Sequence, residues 1–328
     1  MKEEILSILK ANPGTYTSGQ DLSNKLGVSR TSIWKYINLL KEEGYIIDSI
    51  SKKGYRIIST PDLLTSDEIS EFIKTKYIGK KIMHFDSVGS TNNVAKDLAS
   101  KGASHGTTII SEEQTSGKGR LGRQWLAPRY KGIWMSVILK PEIEPVNVPK
   151  ITHISAAAVL LALKEFKIET FVKWPNDIIL NNKKICGILT EMSGEINRIA
   201  YVVVGIGINA NLESSDIPKD ISEKASSIYM ETAKIINRKK LAASVLNNFE
   251  MLYEKFIRTG SMDESIKICR ENSILLGKSI RIIRNQKVET AKALGINNEG
   301  ELLVEFENGI REAIVSGEVS IRGVEGYI

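Results

Sequence analysis

Apolar residues in the first 60 positions recur at the spacing expected for three short helices. The first helix stops before Pro13-Gly14, while Ser18 opens the second in a capping-box pattern and Ser29 caps the third. Two strand-like runs then flank a basic tip at residues 51–54. This order predicts a winged helix-turn-helix domain over residues 1–62.

The third of these helices carries polar and basic side chains away from its core face. A helix whose N-terminus enters the major groove contacts phosphates and base edges with such side chains. Residues 18–58 hold seven basic and four acidic side chains, a net charge of +3. We therefore expect DNA contacts from Ser29, Arg30, Thr31, Lys35, Asn38, Lys52 and Lys53. A helical bundle used for dimerisation or docking is the alternative.

Strand-like and helix-like runs alternate between residues 63 and 274, after a linker at Pro61-Asp62. A capping box at residues 65–68 is expected to open this segment. The expected strands are Lys81–Phe85, Thr107–Ser111, Ile133–Leu139, Thr170–Lys173, Ile185–Met192 and Ile199–Ile208. The expected helices are Asn93–Ser100, Ile151–Phe166 and Lys239–Ile257. A hairpin is expected across Asn181-Asn182, so the segment predicts an α/β core around one sheet.

The last part of the chain, residues 275–328, changes to short strands separated by turns. The expected strands are Ser279–Ile283, Leu302–Phe306, Arg311–Val315 and Val319–Arg322. Such short, evenly spaced strands predict a small β-barrel similar to SH3-like modules. The whole chain is thus predicted to be a multidomain α+β protein with a winged helix-turn-helix, a central α/β sheet core and a C-terminal barrel.

Composition narrows the class of protein. The 328 residues are 42% hydrophobic and 26% charged with a net charge of +6, which is typical of a globular protein. The sequence has neither a run of about 18 apolar residues nor a signal-peptide core, so no membrane partner is expected. Cys186 and Cys269 lie far apart, which favours reduced thiols in the cytoplasm, and the three scattered histidines predict no metal cluster.

The segment Gly117–Arg123 combines three glycines with three cations. It matches Gly-x-Gly-x-x-Gly, but Pro128 lies where a dinucleotide-binding helix should form, so the Rossmann interpretation fails. The spacing does not match a P-loop either. A glycine-rich cationic loop can close over an anion with backbone donors and positive charge together. A solvated surface turn is the alternative.

Four further segments carry polar groups at strand ends. Ser90-Thr91-Asn92 opens a helix, where its hydroxyls either hold a ligand or simply cap the helix. The segment Lys173–Asp177 places a cation and an aromatic ring before a turn, and turn chemistry alone does not explain them. Lys184 opens a strand and is either a ligand contact or a solvated side chain. The glycines in the segment 205–209 indicate close approach to a strand.

In this order the motifs resemble those of the biotin protein ligase family, and the resemblance covers essentially the whole chain. The winged helix is similar to that of the bifunctional subgroup, whose members are also biotin operon repressors. One residue departs from the pattern, because Lys118 stands where the family often has arginine. Positive charge is kept there but the bidentate guanidinium is lost.

The resemblance implies a two-step reaction. Biotin and ATP, the latter with Mg²⁺, form biotinyl-5′-adenylate, and a lysine of a biotin carboxyl carrier protein, as in acetyl-CoA carboxylase, then accepts the biotin. Neither a tightly bound cofactor nor a metal held by the protein is implied. The implied partners include operator DNA and a second copy of the chain. This homodimer would form when the adenylate is bound, through a strand edge near Ala200–Ile208.

Position in the family motifs implies catalytic roles for Lys184, Arg120 and Asp177. The side chains and loop expected to hold biotin are Ser90, Thr91, Asn92, Gln114, Lys118, Gly119 and Arg120. Trp125 is expected to stack on adenine, and Arg322 is expected to reach the nucleotide. Metal–phosphate coordination or orientation of the incoming amine is expected from Asn176, Asp177 and Asn209.

Two rival functions remain at this point. A pure transcription regulator with a ligand-sensing core would lack Lys184 or Arg120, and both are present. A lipoate protein ligase has a related core, but the winged helix and the loop Gly117–Arg123 argue against it.

Overall fold

A computed structural model describes residues 1–195, 198–284, 287–316, 320–323 and 327–328, and it divides into two units. The first unit is Met1–Leu63 and the second is Leu64–Ile328. The predicted domain boundary after residue 62 lies within one residue of this division. The predicted boundary after residue 274 falls inside the second unit and stays a prediction.

The first unit contains three helices and a two-stranded antiparallel sheet. Its elements are α1 (Lys2–Ala11), α2 (Gly19–Leu26), α3 (Arg30–Glu42), β1 (Ile46–Ile50) and β2 (Gly54–Ser59). The side chains of Ser18 and Ser29 accept hydrogen bonds from backbone N–H groups in the first turns of α2 and α3, as predicted. Gly27 ends α2 in the left-handed conformation, which a glycine adopts at little cost. Its core consists of Ile5, Leu6, Leu9, Leu22, Ile33, Ile37, Leu40, Tyr45 and Ile47.

The second unit begins with a short helix, α4 (Ser66–Ile69). The predicted capping box is wrong in its side-chain detail, because Thr65 makes no capping hydrogen bond within the described residues. Glu68 is instead fully buried and pairs with Lys239 at 2.7 Å. The carboxylate that the pattern assigns to a cap therefore fixes α4 against a distant helix.

A seven-stranded sheet forms the centre of this unit. Its strands are β3 (Ile82–Phe85), β4 (Thr108–Ser111), β5 (Ile133–Leu139), β6 (Phe171–Lys173), β7 (Asp177–Leu180), β8 (Lys183–Glu195) and β9 (Arg198–Ile208). They are ordered β3-β4-β5-β9-β8-β7-β6, and only β3 and β4 run parallel. The predicted hairpin across Asn181-Asn182 is β7–β8.

The remaining helices are α5 (Thr91–Ser100), α6 (Val148–Glu165), α7 (Ile228–Thr232), α8 (Arg238–Thr259) and α9 (Asp263–Glu271), with 3-10 turns at Ser70–Phe72, Arg120–Gly122, Pro145–Asn147 and Ser214–Asp216. Of these, α5 and α6 pack on opposite faces of the sheet, and α8 and α9 pack against α6. Successive side chains of β5 point to opposite faces of the sheet. Val137 packs in the large core with α6 and α8, and Ile138 packs against α5. The stretch Pro145–Glu165 is long and apolar enough to cross a membrane, but 72% of its most apolar 18-residue segment is buried inside the protein. Its apolarity is that of a core helix.

Most of the segment Ala200–Ile208, where a strand edge was expected, is not an edge. Residues 202–208 of β9 pair with β5 on one side and with β8 on the other. Residues 202–208 are therefore part of an inner strand whose backbone groups are already paired. A dimer contact has to use another surface.

The last part of the chain forms a five-stranded antiparallel sheet. Its strands are β10 (Ser279–Arg284), β11 (Lys287–Ile296), β12 (Leu302–Phe306), β13 (Arg311–Ile314) and β14 (Ser320–Gly323), ordered β13-β12-β11-β10-β14. The predicted strand start at Val319 lies outside the described residues, and β11 was not predicted. Apolar residues of this sheet join the same buried cluster as α6 and α8. Trp174 also donates its indole N–H to the carbonyl of Gly300 at 2.9 Å.

Candidate active site

A cavity of about 160 Å³ lies where β6, β7 and β8 meet the loop after β4 and the strand β14. Twelve of the predicted site residues line it, namely Ser90, Thr91, Asn92, Gln114, Lys118, Gly119, Arg120, Trp125, Asn176, Asp177, Lys184 and Arg322. The structure thus brings together segments that are up to 232 residues apart in the sequence. Asn209 is the predicted site residue that it does not bring to the cavity.

One wall of the cavity is a buried network at the start of α5. The backbone N–H and the hydroxyl of Thr91 donate to the Gln114 side-chain oxygen at 2.8 and 3.1 Å. Ser136 donates to the Thr91 hydroxyl at 2.7 Å and to Asn92 Oδ1 at 2.6 Å, and these are alternatives for its single proton. Ser90 occupies the N-cap position but makes no side-chain capping bond in the described chain. Its hydroxyl is therefore not a helix cap.

Gly205 explains part of the glycine pattern in β9. A Cβ atom there would lie 2.2 Å from Oδ1 of Asn92, closer than any side chain permits. The absent side chain leaves room for Asn92, whose Nδ2 also donates to Glu191 at 2.8 Å. This network holds polar groups at a fixed depth in the cavity, as a ligand head group requires.

The glycine-rich loop closes on itself above the cavity. Gly117 accepts a backbone hydrogen bond from Trp125 at 2.9 Å, and Gly119 donates one to Arg123 at 2.7 Å. Arg120 donates to Oδ1 of Asn176 at 3.0 Å. Burial lowers the pKa of the Arg120 guanidinium, against the opposing charge of Asp177. An arginine guanidinium is not deprotonated in proteins, so Arg120 remains a cation of the cavity.

Lys184 and Asp177 form an ion pair at 2.6 Å on the floor of the cavity. Only 24% of the Lys184 side chain is exposed, so it is not a solvated surface lysine. Burial is the largest single influence and would raise the pKa of Asp177, but the charge and hydrogen bond of Lys184, the Tyr327 hydroxyl and the charge of Lys173 together hold that pKa below its usual value. The second carboxylate oxygen accepts a hydrogen bond from the Tyr327 hydroxyl at 2.5 Å.

Trp125 covers two glycines of the sheet. Cβ atoms at Gly187 and Gly207 would lie 2.9 and 2.8 Å from its indole ring, so the missing side chains make space for the ring. The ring centroid is 5.2 Å from Nζ of Lys184. The indole N–H is buried and has no hydrogen-bond partner among the described residues. An aromatic face and a buried donor beside a cation suit a planar heterocycle and an anion together.

Among the cavity residues that were not predicted as site residues, three have ionisable side chains. Lys173, which is 3% exposed, lies in a motif that was noted but received no role. Burial lowers its pKa to about 7, although Asp177 acts in the opposite direction. Arg123 is a cation of the loop, and Tyr327 is 150 residues from its partner Asp177, so no local pattern connects them.

Asn209 acts away from the cavity. Its Nδ2 donates to the carbonyl of Ser226 at 2.8 Å, and its backbone N–H donates to the carbonyl of Ile185. The side chain thus joins the end of β9 to the loop before α7. A direct contact with metal or phosphate does not follow from this position.

The described residues contain no group of three or more His, Cys, Asp or Glu side chains that could hold a metal ion. The two cysteines are free and buried. Of the ionisable groups around the cavity, most are cations, so the site is suited to anionic ligands.

A separate groove of about 960 Å³ lies in the first unit between α3 and the β1–β2 wing. Of the predicted DNA contacts, Arg30, Thr31, Asn38 and Lys52 line this groove. Ser29 caps α3, Lys35 is exposed on that helix, and Lys53 lies 5.9 Å from the ring of Tyr16. Trp34 also lines the groove with 56% of its surface exposed, and the sequence analysis did not single it out.

Comparison with known proteins gives relatives over the full length. The chain is 36% identical to the bifunctional ligase/repressor BirA of Bacillus subtilis (strain 168) over 98% of both chains. It is 28% identical to the bifunctional ligase/repressor BirA of Escherichia coli (strain K12), over 98% of this chain and 97% of that one. The chain belongs to the bifunctional biotin protein ligase family. The resemblance inferred from the motifs is confirmed.

Family models divide the chain in the same way as the predicted fold class. An HTH domain matches residues 2–56, the biotin/lipoate A/B protein ligase family matches residues 84–209, and the biotin protein ligase C-terminal domain matches residues 275–322. The chain is also similar to the biotin protein ligase from Aquifex aeolicus in complex with biotin and ATP. The TM-score is 0.65 at 31% identity, over 74% of this chain and 99% of that one. The predicted fold class is confirmed.

Proposed function

We propose that this protein is an ATP-dependent, AMP-forming biotin protein ligase that also represses transcription. It forms biotinyl-5′-adenylate from biotin and MgATP and transfers biotin to a lysine of a carrier domain. One observation carries the proposal, which is that Lys184, Arg120 and Asp177 converge on one cavity. We place the reaction in the cytoplasm, where the buried thiols stay reduced.

The first step must bring two anions together. Two unit charges about 4 Å apart repel by about 4 kcal/mol at an effective dielectric near 20. A carboxylate oxygen of biotin attacks the α-phosphorus of ATP, and the bond to the bridging oxygen breaks to release pyrophosphate. Lys184 and Arg120 lie where they can neutralise both reactants and stabilise charge on the phosphoryl oxygens.

Asn176 and Asp177 act by orienting these cations. Asn176 accepts from Arg120 and donates to the carbonyl of Ile188 at 2.9 Å, so both ends of its amide are engaged. Asp177 pairs with Lys184 and with the Tyr327 hydroxyl. With these groups already paired, we favour a role in positioning over direct coordination of Mg²⁺, which would enter with ATP.

In the second step the neutral ε-amine of the carrier lysine attacks the carbonyl carbon of the mixed anhydride. The carbon–oxygen bond to AMP breaks, and the amine loses a proton to solvent. No enzyme nucleophile takes part, so catalysis consists of positioning and electrostatics. The loop Gly117–Arg123 closes over the anhydride and keeps water away from it before the carrier arrives.

Repression uses the first unit. We propose that the groove between α3 and the wing contacts operator DNA, and that two copies of the chain bind a palindromic site when the adenylate is present. The basic side chains Arg30 and Lys52 in the groove support this, since they can neutralise phosphates. Affinity for a selected operator duplex should rise when biotin and MgATP are both added, and equal affinity would contradict the corepressor role.

The ligase reaction is tested by weighing a carrier domain after incubation with the protein, biotin and MgATP. We expect a mass gain of one biotinyl group and none when lipoate replaces biotin. Lys184→Gln should abolish most of the gain. Lys183→Gln is the matched control. The Lys183 ammonium pairs with Glu231 at 3.7 Å, and Lys183 does not line the cavity although it is next to Lys184 in the chain. Equal loss in both variants, or gain with lipoate alone, would refute the assignment.

A further inference from the structure

Tyr327 reaches the active-site cavity from beyond the last strand of the C-terminal sheet. It lines the cavity together with Lys173 and Asp177. Gly323 makes room for the backbone next to Tyr327, because a Cβ atom at Gly323 would lie 2.1 Å from the carbonyl carbon of Ile328. A side chain at Gly323 would therefore displace Ile328.

Tyr327 contacts the floor of the cavity through three different groups. Its hydroxyl donates to Oδ2 of Asp177 at 2.5 Å. Its backbone carbonyl accepts a hydrogen bond from Nζ of Lys173. Its ring covers the same ammonium, with 3.4 Å between Nζ and the ring centroid. A buried lysine is costly unless its donors are satisfied, and Tyr327 supplies both an acceptor and a ring face.

These contacts lead to Lys184 through Asp177. The carboxylate is held by the Tyr327 hydroxyl on Oδ2 and by Nζ of Lys184 on Oδ1 at 2.6 Å. The hydrogen bond on Oδ2 and the ion pair on Oδ1 restrain the carboxylate from both sides, and the restrained carboxylate in turn positions Lys184. If the hydroxyl is removed, Oδ2 loses a charge-assisted hydrogen bond and the carboxylate can rotate away from Lys184.

We propose that Tyr327 is a positioning residue for adenylate formation, which acts on Lys184 through Asp177 while its carbonyl and ring hold Lys173. The inference rests on the proposed ligase function. It gives Tyr327 a part in the reaction through contacts with Asp177 and Lys173 rather than with the reacting atoms.

Tyr327→Phe removes the hydroxyl and leaves the ring and the carbonyl in place. We expect kcat for biotin-dependent ATP–pyrophosphate exchange to fall about tenfold, the usual scale for one hydrogen bond to a charged group, while the KM values for biotin and ATP stay nearly constant. Tyr77→Phe is the matched control, because that hydroxyl also donates to a carboxylate, Glu254, at 2.5 Å and does not line the cavity. It should leave kcat unchanged.

A double-mutant cycle with Asp177→Asn separates positioning from general stability. If Tyr327 acts through Asp177, Tyr327→Phe should lower single-turnover adenylate formation in the wild-type background and have no further effect beside Asp177→Asn. Equal effects in both backgrounds would overturn the proposal. So would an unchanged kcat in Tyr327→Phe. Faster exchange after deletion of residues 327–328 would also overturn it, because Tyr327 would then obstruct the cavity instead of positioning Lys184. A wild-type protein without exchange activity would instead refute the ligase function itself.

Discussion

Gly207 lies beneath the indole of Trp125, and Gly207→Ala tests whether that ring carries the nucleotide. The strand is extended at this position, so alanine does not strain the backbone. The added Cβ atom would lie 2.8 Å from Cε2 and Nε1 of the indole. Carbon atoms in contact prefer separations of about 3.5–4.0 Å, so the ring has to move outward by about 0.7 Å or more.

That displacement should cost about 1–3 kcal/mol, the usual range for adding a methyl group to a packed site. The ring also leaves its position 5.2 Å from Lys184. If about 1.4 kcal/mol of the cost falls on the bound nucleotide, the KM for ATP rises about tenfold. Biotin is expected to contact the α5 wall instead, so its KM should change little.

The assay is biotin-dependent ATP–pyrophosphate exchange with each substrate varied in turn, together with thermal unfolding. Gly295→Ala is the control, since that glycine also lies in a strand but its Cβ would have its nearest neighbour, Leu303, at 3.9 Å. A KM for ATP equal to that of the wild type, in a folded Gly207→Ala protein, would show that adenine does not rest on Trp125.

Three other changes test separate parts of the proposal. Arg120→Gly should leave adenylate formation partly intact but raise the dissociation rate of the adenylate by about tenfold or more, because the loop no longer closes on Asn176. An unchanged dissociation rate in a rapid-quench or trapping experiment would refute this. Trp34→Ala should weaken operator binding in a gel-shift assay and leave biotin transfer unaltered, since the ring is 56% exposed in the α3 groove; a loss of both activities would point to misfolding. Finally, Lys173 has a folded pKa of about 7, below its unfolded value of 10.5, so the unfolded chain binds more protons above neutrality. The free energy of unfolding should therefore gain up to about 2 kcal/mol between about pH 7 and about pH 9, and urea titrations should show that Lys173→Met removes this gain.

Local patterns were sufficient for much of the fold. The strand Ile133–Leu139 has the predicted bounds, and Ser18 and Ser29 cap the predicted helices, because periodicity and capping depend on neighbouring residues. The strand β11 was missed, since its sequence alternates apolar residues with lysine, glutamate and threonine too weakly for a clear period. Glu68 was interpreted as part of a cap, but its partner Lys239 is 171 residues away.

The site residues likewise divide into those that a local sequence pattern indicates and those that only the folded chain brings together. Segments such as Ser90-Thr91-Asn92 and Gly117–Arg123 carry several unusual residues together, so their sequences alone indicate a ligand. Tyr327 is a single tyrosine near the end of the chain, and only the folded arrangement brings it to Asp177. Asn209 shows the opposite case, because its place beside two motif glycines suggested a ligand contact, whereas its side chain binds the backbone of Ser226.

The C-terminal sheet places Gly300 as the acceptor for the Trp174 indole and brings Arg322 of β14 to the cavity, where Tyr327 also lies. Neither the part of the second unit around the central sheet nor the part around the C-terminal sheet therefore contains all the residues of the cavity. A chain divided at the exposed Gly277, which has a φ of +82°, would give two fragments that are inactive apart. Fused to two proteins that meet in a cell, such fragments would restore biotin transfer only where those proteins come together, which would make this fold a reporter of proximity.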